Sequence, residues 1–309
     1  MATASPHPPA RTGTGRGLAV AAAVLAFLLF AGQFVLARHG LRAGLGAGDI
    51  VALRFGTAAV VALPFLVRWG LADLGGIGWR RGALLALVAG APYFALSIGG
   101  LAFAPAANAV VINPAMTLLG GTLLSALWLA EPVGRRRVLA AALALVGLTL
   151  LGGADIDLRS ADAWIGNLMF ALSGLVWALY MALLSRWRLD PVRAAVVVAV
   201  LSAAFLPVYP LLAGPDLAAV AAAEILIQGG YQGLVHALCA IALFSYAVRR
   251  LGVAPVALMT PIVPVAGLIM AAMWLGERLS GWQSLGAALV CGAMVLAASQ
   301  ALRPGRGNT

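Results

Sequence analysis

The sequence predicts an all-α integral membrane protein whose ten transmembrane helices form two inverted five-helix repeats. Three observations support this fold class. Apolar stretches of about twenty residues alternate with short charged clusters, arginine is concentrated in every second loop, and several residues recur in both halves of the chain at a constant spacing.

The apolar stretches match the thickness of a bilayer. Its hydrocarbon core is ~30 Å thick, and a helix needs ~20 apolar residues to cross it. Backbone polar groups in hydrocarbon must be satisfied within their own segment, which favours helices over strands. The predicted crossings are Leu18–Ala37, Ile50–Val67, Gly82–Phe103, Ala106–Leu129, Val138–Gly153, Ala163–Leu184, Ala194–Ala213, Ala223–Val248, Val253–Leu275 and Trp282–Ala301.

The composition excludes an appended soluble domain. The 309 residues are 63% hydrophobic and 10% charged, with a mean hydropathy of +1.01, whereas soluble domains carry about a quarter charged residues. Ten helices leave room only for short loops and tails. We expect a disordered cytoplasmic tail at 1–17, a first repeat at 18–154, a second repeat at 163–301 and a cytoplasmic tail at 302–309.

The net charge of +10 does not indicate a nucleic-acid partner, because the 20 arginines are spread over all the loops and form no basic patch. Fifteen of them fall in the two tails and in alternate loops. Positive charge favours the cytoplasmic side. The sequence therefore predicts a multi-pass protein of the cell membrane with both termini in the cytoplasm.

The two halves of the chain share a spacing. Pro64 and Pro210 are 146 positions apart, as are Glu131 and Glu277. A unit of five helices crosses the membrane an odd number of times, so a second copy enters inverted. Inverted repeats are typical of secondary transporters, whose site lies near the midplane. Duplication in an inert helical bundle is the alternative.

Short motifs in both halves resemble one family. They are Leu53-Arg54-Phe55, Ala106-Ala-Asn108, Pro114 and Leu129-Ala-Glu131 in the first half, and Pro255, Pro261-Ile-Val-Pro264, Trp274-Leu-Gly-Glu277-Arg278-Leu-Ser and Gly286 in the second. From Leu18 to about Ala301 the chain resembles an EamA-type member of the drug/metabolite transporter superfamily. The resemblance implies ten helices in two five-helix repeats and export or uptake of small metabolites by alternating access. Of the two directions we expect export. The resemblance does not fix the substrate. The first half departs from the pattern, since Pro132 stands where Arg278 stands in the second.

The eighth apolar stretch carries a row of polar residues. Glu224, Gln228, Gln232 and His236 recur every four positions, so they follow one side of a helix, with Tyr231 in the same sector. At 1.5 Å per residue His236 lies ~18 Å from Glu224, near the midplane. Such a row facing lipid would be costly. We interpret it as the wall of a substrate path, with hydrogen bonding between helices as the alternative. His236 is also a candidate for proton coupling, because histidine titrates near neutral pH.

Other polar and aromatic residues inside apolar stretches are further candidates for the substrate cavity. The aromatic rings among them can pack an organic solute, but for any one ring ordinary filling between helices is the preferred explanation. These candidates are Gln33, Tyr93, Asn108, Asn113, Trp177 and Tyr180.

The prolines and two glutamates are predicted to have structural roles. Pro114, Pro261 and Pro264 should bend their helices, either as pivots or as static kinks. Glu131 and Glu277 each end a helix, where a negative charge is unfavourable. We interpret them as turn residues in local ion pairs, Glu277 with Arg278, rather than as cation sites.

Arg54 is the one arginine inside an apolar stretch. It lies about one turn into the helix, so its side chain is predicted to extend to the outer interface. Binding of an anionic group is the alternative.

These observations predict a secondary transporter of a small organic solute. The chain has no lysine and no phosphate-binding loop, so a gradient must drive transport. A structural or regulatory membrane protein is one alternative. A membrane-embedded lipid enzyme is another, although the chain lacks paired carboxylates or a His-x-x-Glu-His motif. We expect no catalytic residue, cofactor or metal. The expected partners are a small-molecule substrate and the lipid bilayer, with a homodimer left open.

Overall fold

The computed structural model describes residues 13–128, 134–153, 162–210, 217 and 220–299, and this part of the chain is helical without strands. Glu131 lies outside the described residues. The helices are α1 (Gly13–Arg42), α2 (Ala47–Trp69), α3 (Trp79–Ala102), α4 (Ala106–Leu127), α5 (Arg135–Gly153), α6 (Ala163–Trp187), α7 (Pro191–Phe205), α8 (Ala222–Leu251), α9 (Val253–Ala257 and Ile262–Leu275) and α10 (Gly281–Ser299).

Eight of the described helices, namely all except α5 and α7, are long and apolar enough to cross a membrane. Helix α7 is a shorter apolar helix, and α5 begins with three arginines. Large apolar side chains point outward, among them Val60 and Met273, each 75% exposed. An apolar outer surface is what a lipid environment requires, and the predicted all-α membrane protein is confirmed. Helix α1 begins at Gly13, inside the range predicted as the first tail, and the boundaries of the tails and repeats stay predictions.

Three of the described helices are irregular. Helix α3 breaks at Gly90, where a Cβ atom would lie 2.0 Å from the Ser202 Oγ and 2.2 Å from the Ala86 carbonyl oxygen. Helix α8 contains a π-helix from Gly229 to Ala240, flanked by α-helical turns. Helix α9 is interrupted by a turn that ends at Pro261.

The bend predicted at Pro264 is wrong, and the reason is its position. Pro264 lies in the first turn of the Ile262–Leu275 piece, with Pro261 as the N-cap residue. A backbone N–H in the first turn has no intrahelical acceptor, so a proline there removes no hydrogen bond. The break falls at Pro261 instead. Pro114 differs from both, because α4 continues through it from Ala106 to Leu127.

The helices of the two halves pair in a symmetrical pattern. In this pattern α1 to α5 correspond in order to α6 to α10. Helix α4 packs on α6, and the corresponding pair, α9 and α1, also packs together. Likewise α2 packs on α8, and the corresponding pair, α7 and α3, is in contact. Three further pairs, α2 with α7, α4 with α9 and α5 with α10, join helices that hold the same place in each half. The α5–α10 contact brings backbones together, since a Cβ atom on Gly286 would lie 2.5 Å from the Gly147 oxygen. Small residues at such crossings permit close helix packing.

Gly286→Ala should therefore destabilise the protein by about 1–3 kcal/mol, because the added methyl group meets the α5 backbone and forces the helices apart. Gly292→Ala is the matched control in the same helix, since its Cβ atom would only reach an ordinary contact 4.0 Å from Leu143. Thermal unfolding of both purified variants in detergent measures the difference. Equal midpoints would contradict this account of the α5–α10 contact.

Candidate functional site

Helices α2 and α8 touch through glycine, and this contact positions the polar interior. A Cβ atom on Gly233 would lie 2.6 Å from the Arg54 carbonyl oxygen and 2.7 Å from the Thr57 Cβ. About one turn earlier in α8, a Cβ atom on Gly229 would lie 3.0 Å from the Thr57 hydroxyl oxygen. Because the backbones meet at this level, the side chain of Arg54 lies beside the polar row of α8.

Arg54 is buried, with 3% of its surface exposed, so the predicted extension to the interface is wrong. Its Nη1 donates to the Gln232 Oε1 at 3.2 Å, and its Nη2 donates to the His236 Nδ1 at 2.9 Å. The guanidinium carbon lies 3.6 Å from the centre of the Phe94 ring. A long side chain reaches the interface only when nothing nearer accepts its hydrogen bonds, and here α8 supplies two acceptors.

The bond from Arg54 fixes the state of the His236 ring. A guanidinium can only donate, so the Nδ1 of His236 must accept. The ring is therefore neutral in this arrangement, with its proton on Nε2. Aromatic neighbours surround it, since the ring centre of Phe30 lies 5.5 Å away and that of Phe94 6.4 Å away.

The polar row of α8 faces the interior and α1. Glu224, Gln228, Gln232 and His236 are 6%, 0%, 0% and 7% exposed. Their amides, together with the Tyr231 hydroxyl, donate to backbone oxygens of α1. The bonds run from Gln228 to Leu36 at 2.7 Å, from Gln232 to Gln33 at 3.0 Å and from Tyr231 to Leu29 at 2.8 Å. Each backbone carbonyl oxygen has two lone pairs, so it can accept one bond from α8 and still accept the hydrogen bond within α1. The role of the row in a substrate path stays a prediction.

The π-helix keeps the row in line. Four residues overshoot a full turn of an α-helix of 3.6 residues per turn. Bonds from residue i to i+5 put more residues into each turn, so the same spacing falls short of a full turn in a π-helix. The step from Glu224 to Gln228 is α-helical, and the two steps from Gln228 to His236 are π-helical. The row therefore rotates around the helix axis one way in its first part and the opposite way in its second part, and it stays on one side of α8. π-Helical segments are frequent at functional sites.

A second polar cluster lies between α3, α4 and α6. The Asn113 amide donates to the Ser173 hydroxyl at 2.8 Å and lies 3.5 Å from the Tyr93 hydroxyl. The ring of Trp177 stacks at 5.2 Å from that of Tyr93 and at 4.9 Å from that of Tyr180. Four of the predicted cavity residues thus come together here, with Ser173 as an addition.

Phe94 joins the two clusters. Its ring lies 4.7 Å from that of Tyr93 and also under the Arg54 guanidinium. Asn108 is separate from them, since its amide donates to Asn167 at 3.0 Å in the first turn of α4. Because Arg54, Gln232 and Tyr93 are all less than 5% exposed, the interior is closed to water at this level.

Glu277 joins three helices at the end of the bundle where α1 ends. Its Oε1 lies 3.3 Å from the Arg42 Nη2 and 3.6 Å from the Arg38 Nε, and its Oε2 accepts the backbone N–H of Ala107 at 3.0 Å. Arg42 also donates to the Leu275 carbonyl at 2.7 Å. The predicted pairing with Arg278 is wrong. A local turn offers only one exposed cation, whereas α1 offers two arginines, and the N-terminus of α4 favours a carboxylate.

A partly open cavity of about 450 Å³ lies at the same end, between α1, α8 and α9. His39 and Glu224 face it, with the His39 Nδ1 3.2 Å from the Glu224 Oε1. The rest of its lining is mostly apolar and includes Leu36 and Trp274.

Sequence reasoning missed several residues of these clusters. Arg38 and Arg42 carried a signal, because two cations four residues apart share one helix face and suit a buried carboxylate. Ser173 and Phe94 carried none, since a serine or phenylalanine in an apolar helix is unremarkable by itself. In the described residues no group of three or more His, Cys, Asp or Glu side chains could hold a metal ion.

The fold and the buried clusters define a polytopic helical membrane protein with a polar interior. The model of the EamA-like transporter family matches residues 17–153 and again 164–299. The chain belongs to this family, which confirms the resemblance seen in its motifs. A solved crystal structure is similar in fold, with a TM-score of 0.62 and 22% sequence identity over 94% of this chain and 100% of the other. No curated protein matches the chain.

Glu277→Gln should lower the stability by about 1–3 kcal/mol, because it removes the charge that two arginines share and weakens the bond to the α4 N-terminus. Arg278→Gln is the control, since Arg278 is exposed and lies next in the chain. Thermal unfolding in detergent compares them. An equal loss in both variants would restore the local ion pair as the explanation.

Proposed function

We propose that the protein is a secondary transporter that moves a small organic solute across the cytoplasmic membrane by alternating access, with export as the direction. The observation that carries the proposal is the buried polar cluster of Arg54, Gln232 and His236 at the middle of α8, in a chain of a transporter family. Ionisable groups inside membrane helices are costly, and they commonly mark substrate or ion pathways.

The proposed topology is ten crossings in two inverted repeats, with both termini in the cytoplasm. The symmetrical pairing of helices supports it, because exchange of the two halves reproduces the pattern. The two matches to the family model support it too, since each covers one half. Within this topology α5 and α7 are the remaining two crossings. The distribution of arginine supports the orientation.

The contacts suggest which end is closed. Glu277 holds α1, α4 and the end of α9 together, and the polar row of α8 is bonded to α1. We place this end outside, on the arginine count, so the cluster around Glu277 acts as the outer gate. The breaks in α3 and α9 and the π-helix of α8 supply places where the helices can change shape. Discontinuous helices near the site are common in transporters with inverted repeats.

The family and the lack of a nucleotide-binding loop favour transport driven by a gradient of solute, proton or sodium. Solute flux distinguishes the proposed transporter from a structural or regulatory membrane protein, because the latter moves no solute. Purified protein in proteoliposomes is first screened for thermal stabilisation by metabolite pools, since bound ligand raises the apparent stability. Flux of the ligands found is then measured.

In that assay Gly233→Ala should lower flux at least about tenfold, because the methyl group separates α2 from α8 and moves Arg54 from its acceptors. Gly230→Ala should keep native flux, since no atom lies within 4 Å of its added Cβ. Gly286→Ala controls for lost stability, because it disturbs a contact far from Arg54. Native flux in folded Gly233→Ala would contradict the placement of the site.

Proton coupling by His236 stays a prediction. A proton on Nδ1 would remove the acceptor of Arg54 and place two cations side by side, so protonation must rearrange the site. We expect the flux of the native protein to change with pH. His236→Gln should flatten this profile, because its amide oxygen can accept from Arg54 but takes no proton. Superimposable profiles of the two proteins would exclude coupling through His236.

A further inference from the structure

Arg54 has no anionic partner in the part of the chain that the structure describes. Its hydrogen bonds go to a neutral amide and a neutral imidazole, and its face rests on Phe94. The buried carboxylates among the described residues are engaged elsewhere. Asp49, in the same helix as Arg54, accepts from the Tyr209 hydroxyl and the Gly46 backbone N–H. Glu224 is bonded to His39 and Gln228, and Glu277 pairs with Arg38 and Arg42. The Nε–H of Arg54 is buried and lacks an acceptor.

A guanidinium buried in this way is expensive. It stays charged, and removing a charge from water costs several kcal/mol unless an opposite charge and hydrogen bonds compensate. Neutral acceptors and an aromatic face supply only part of that compensation. A role as a mere connection between helices would be served as well by a glutamine, which carries no charge. The positive charge itself therefore needs a use.

The geometry points to recognition of a carboxylate on the transported solute by Arg54. This inference rests on the proposed transport function and names its substrate class. The planar fork of a guanidinium matches a carboxylate, and Arg54 keeps an unused N–H for it. One positive charge is neutralised by one negative charge, which favours a monoanion over a phosphate dianion. The Phe94 ring lies against the guanidinium and the Tyr93 ring packs on Phe94, so both offer an apolar surface to the rest of the solute.

A second unsatisfied group belongs to Gln33, the residue whose backbone oxygen binds Gln232. The amide of Gln232 accepts from Arg54 and donates to the Gln33 backbone, and the Gln33 Oε1 is buried without a partner. This oxygen can accept a hydrogen bond from a donor group on the same solute. A solute that reaches Arg54 must first displace Gln232 or His236 from it, because the site is closed in this structure.

The experiment measures thermal stabilisation of the purified full-length protein by matched probes. Benzoate and butyrate are compared with benzamide and butyramide, and phenyl phosphate and benzylamine complete the set. We expect the two carboxylates to raise the unfolding midpoint and the amides and the amine to leave it unchanged. Arg54→Gln should weaken benzoate binding about tenfold or more, and Arg54→Lys should fall between, because lysine keeps the charge but lacks the fork. Arg278→Gln is the control and should bind benzoate as the native protein does.

Every other pattern overturns the inference. Equal stabilisation by acids and amides, equal benzoate binding in folded Arg54→Gln, or no shift with any anion would do so. Stronger stabilisation by phenyl phosphate than by benzoate would exclude the carboxylate. The comparison of acid with amide uses the native protein, so it stands even where a variant fails to fold. If the protein transports a neutral solute and does not bind benzoate, the proposed transport function stands and only the recognition of a carboxylate is excluded.

Discussion

Arg54 holds a permanent positive charge among helices whose outer surfaces are apolar. The surrounding structure is arranged so that this charge has partners. Gly229 and Gly233 let α8 approach the α2 backbone, which brings Gln232 and His236 within reach of the guanidinium. Backbone oxygens of α1 then accept hydrogen bonds from the amides of Gln228 and Gln232. Loss of the close α2–α8 contact would leave several buried polar groups unsatisfied together, and each costs about 1–3 kcal/mol.

The same reasoning explains the end of the bundle. Glu277 is the buried carboxylate there, and it takes its positive charge from α1 and its N–H donor from α4. Helix α1 therefore contacts both sites, through its arginines at one end and its backbone carbonyls in the middle. In the transporter proposed above, this helix is the physical link between the two sites. The alternating access that we propose requires such a link, because the site and the proposed gate must change in turn.

The sequence predicted the parts of this structure that depend on local pattern. The apolar lengths identified the helices, and the spacing of four residues identified the inward face of α8, including the burial of Gln228 and His236. Partners far apart in the chain were not predictable. The neighbours of Arg54 depend on how α2 meets α8, and those of Glu277 on where α1 ends. The sequence alone predicts a local role for both residues, because it shows neighbours in the chain rather than in space.

Backbone irregularities were equally hidden. A proline, Pro261, marks the break in α9. Pro264 causes no break because it lies in the first turn of the helix that follows, so the effect of a proline depends on its position in the helix. The π-helix of α8 has no comparable residue signature, because Gly229 and Gly233 are also explained by close packing alone.

The π-helix also has a consequence for how α8 fits its surroundings. A regular α-helix of the 30 residues from Ala222 to Leu251 would measure about 45 Å, well beyond the ~30 Å of hydrocarbon. Wider turns take up more chain for each ångström of height. Helix α8 is thus shorter than its residue count implies, so it needs less tilt to match the bilayer than α1, which has the same number of residues in α-helical form.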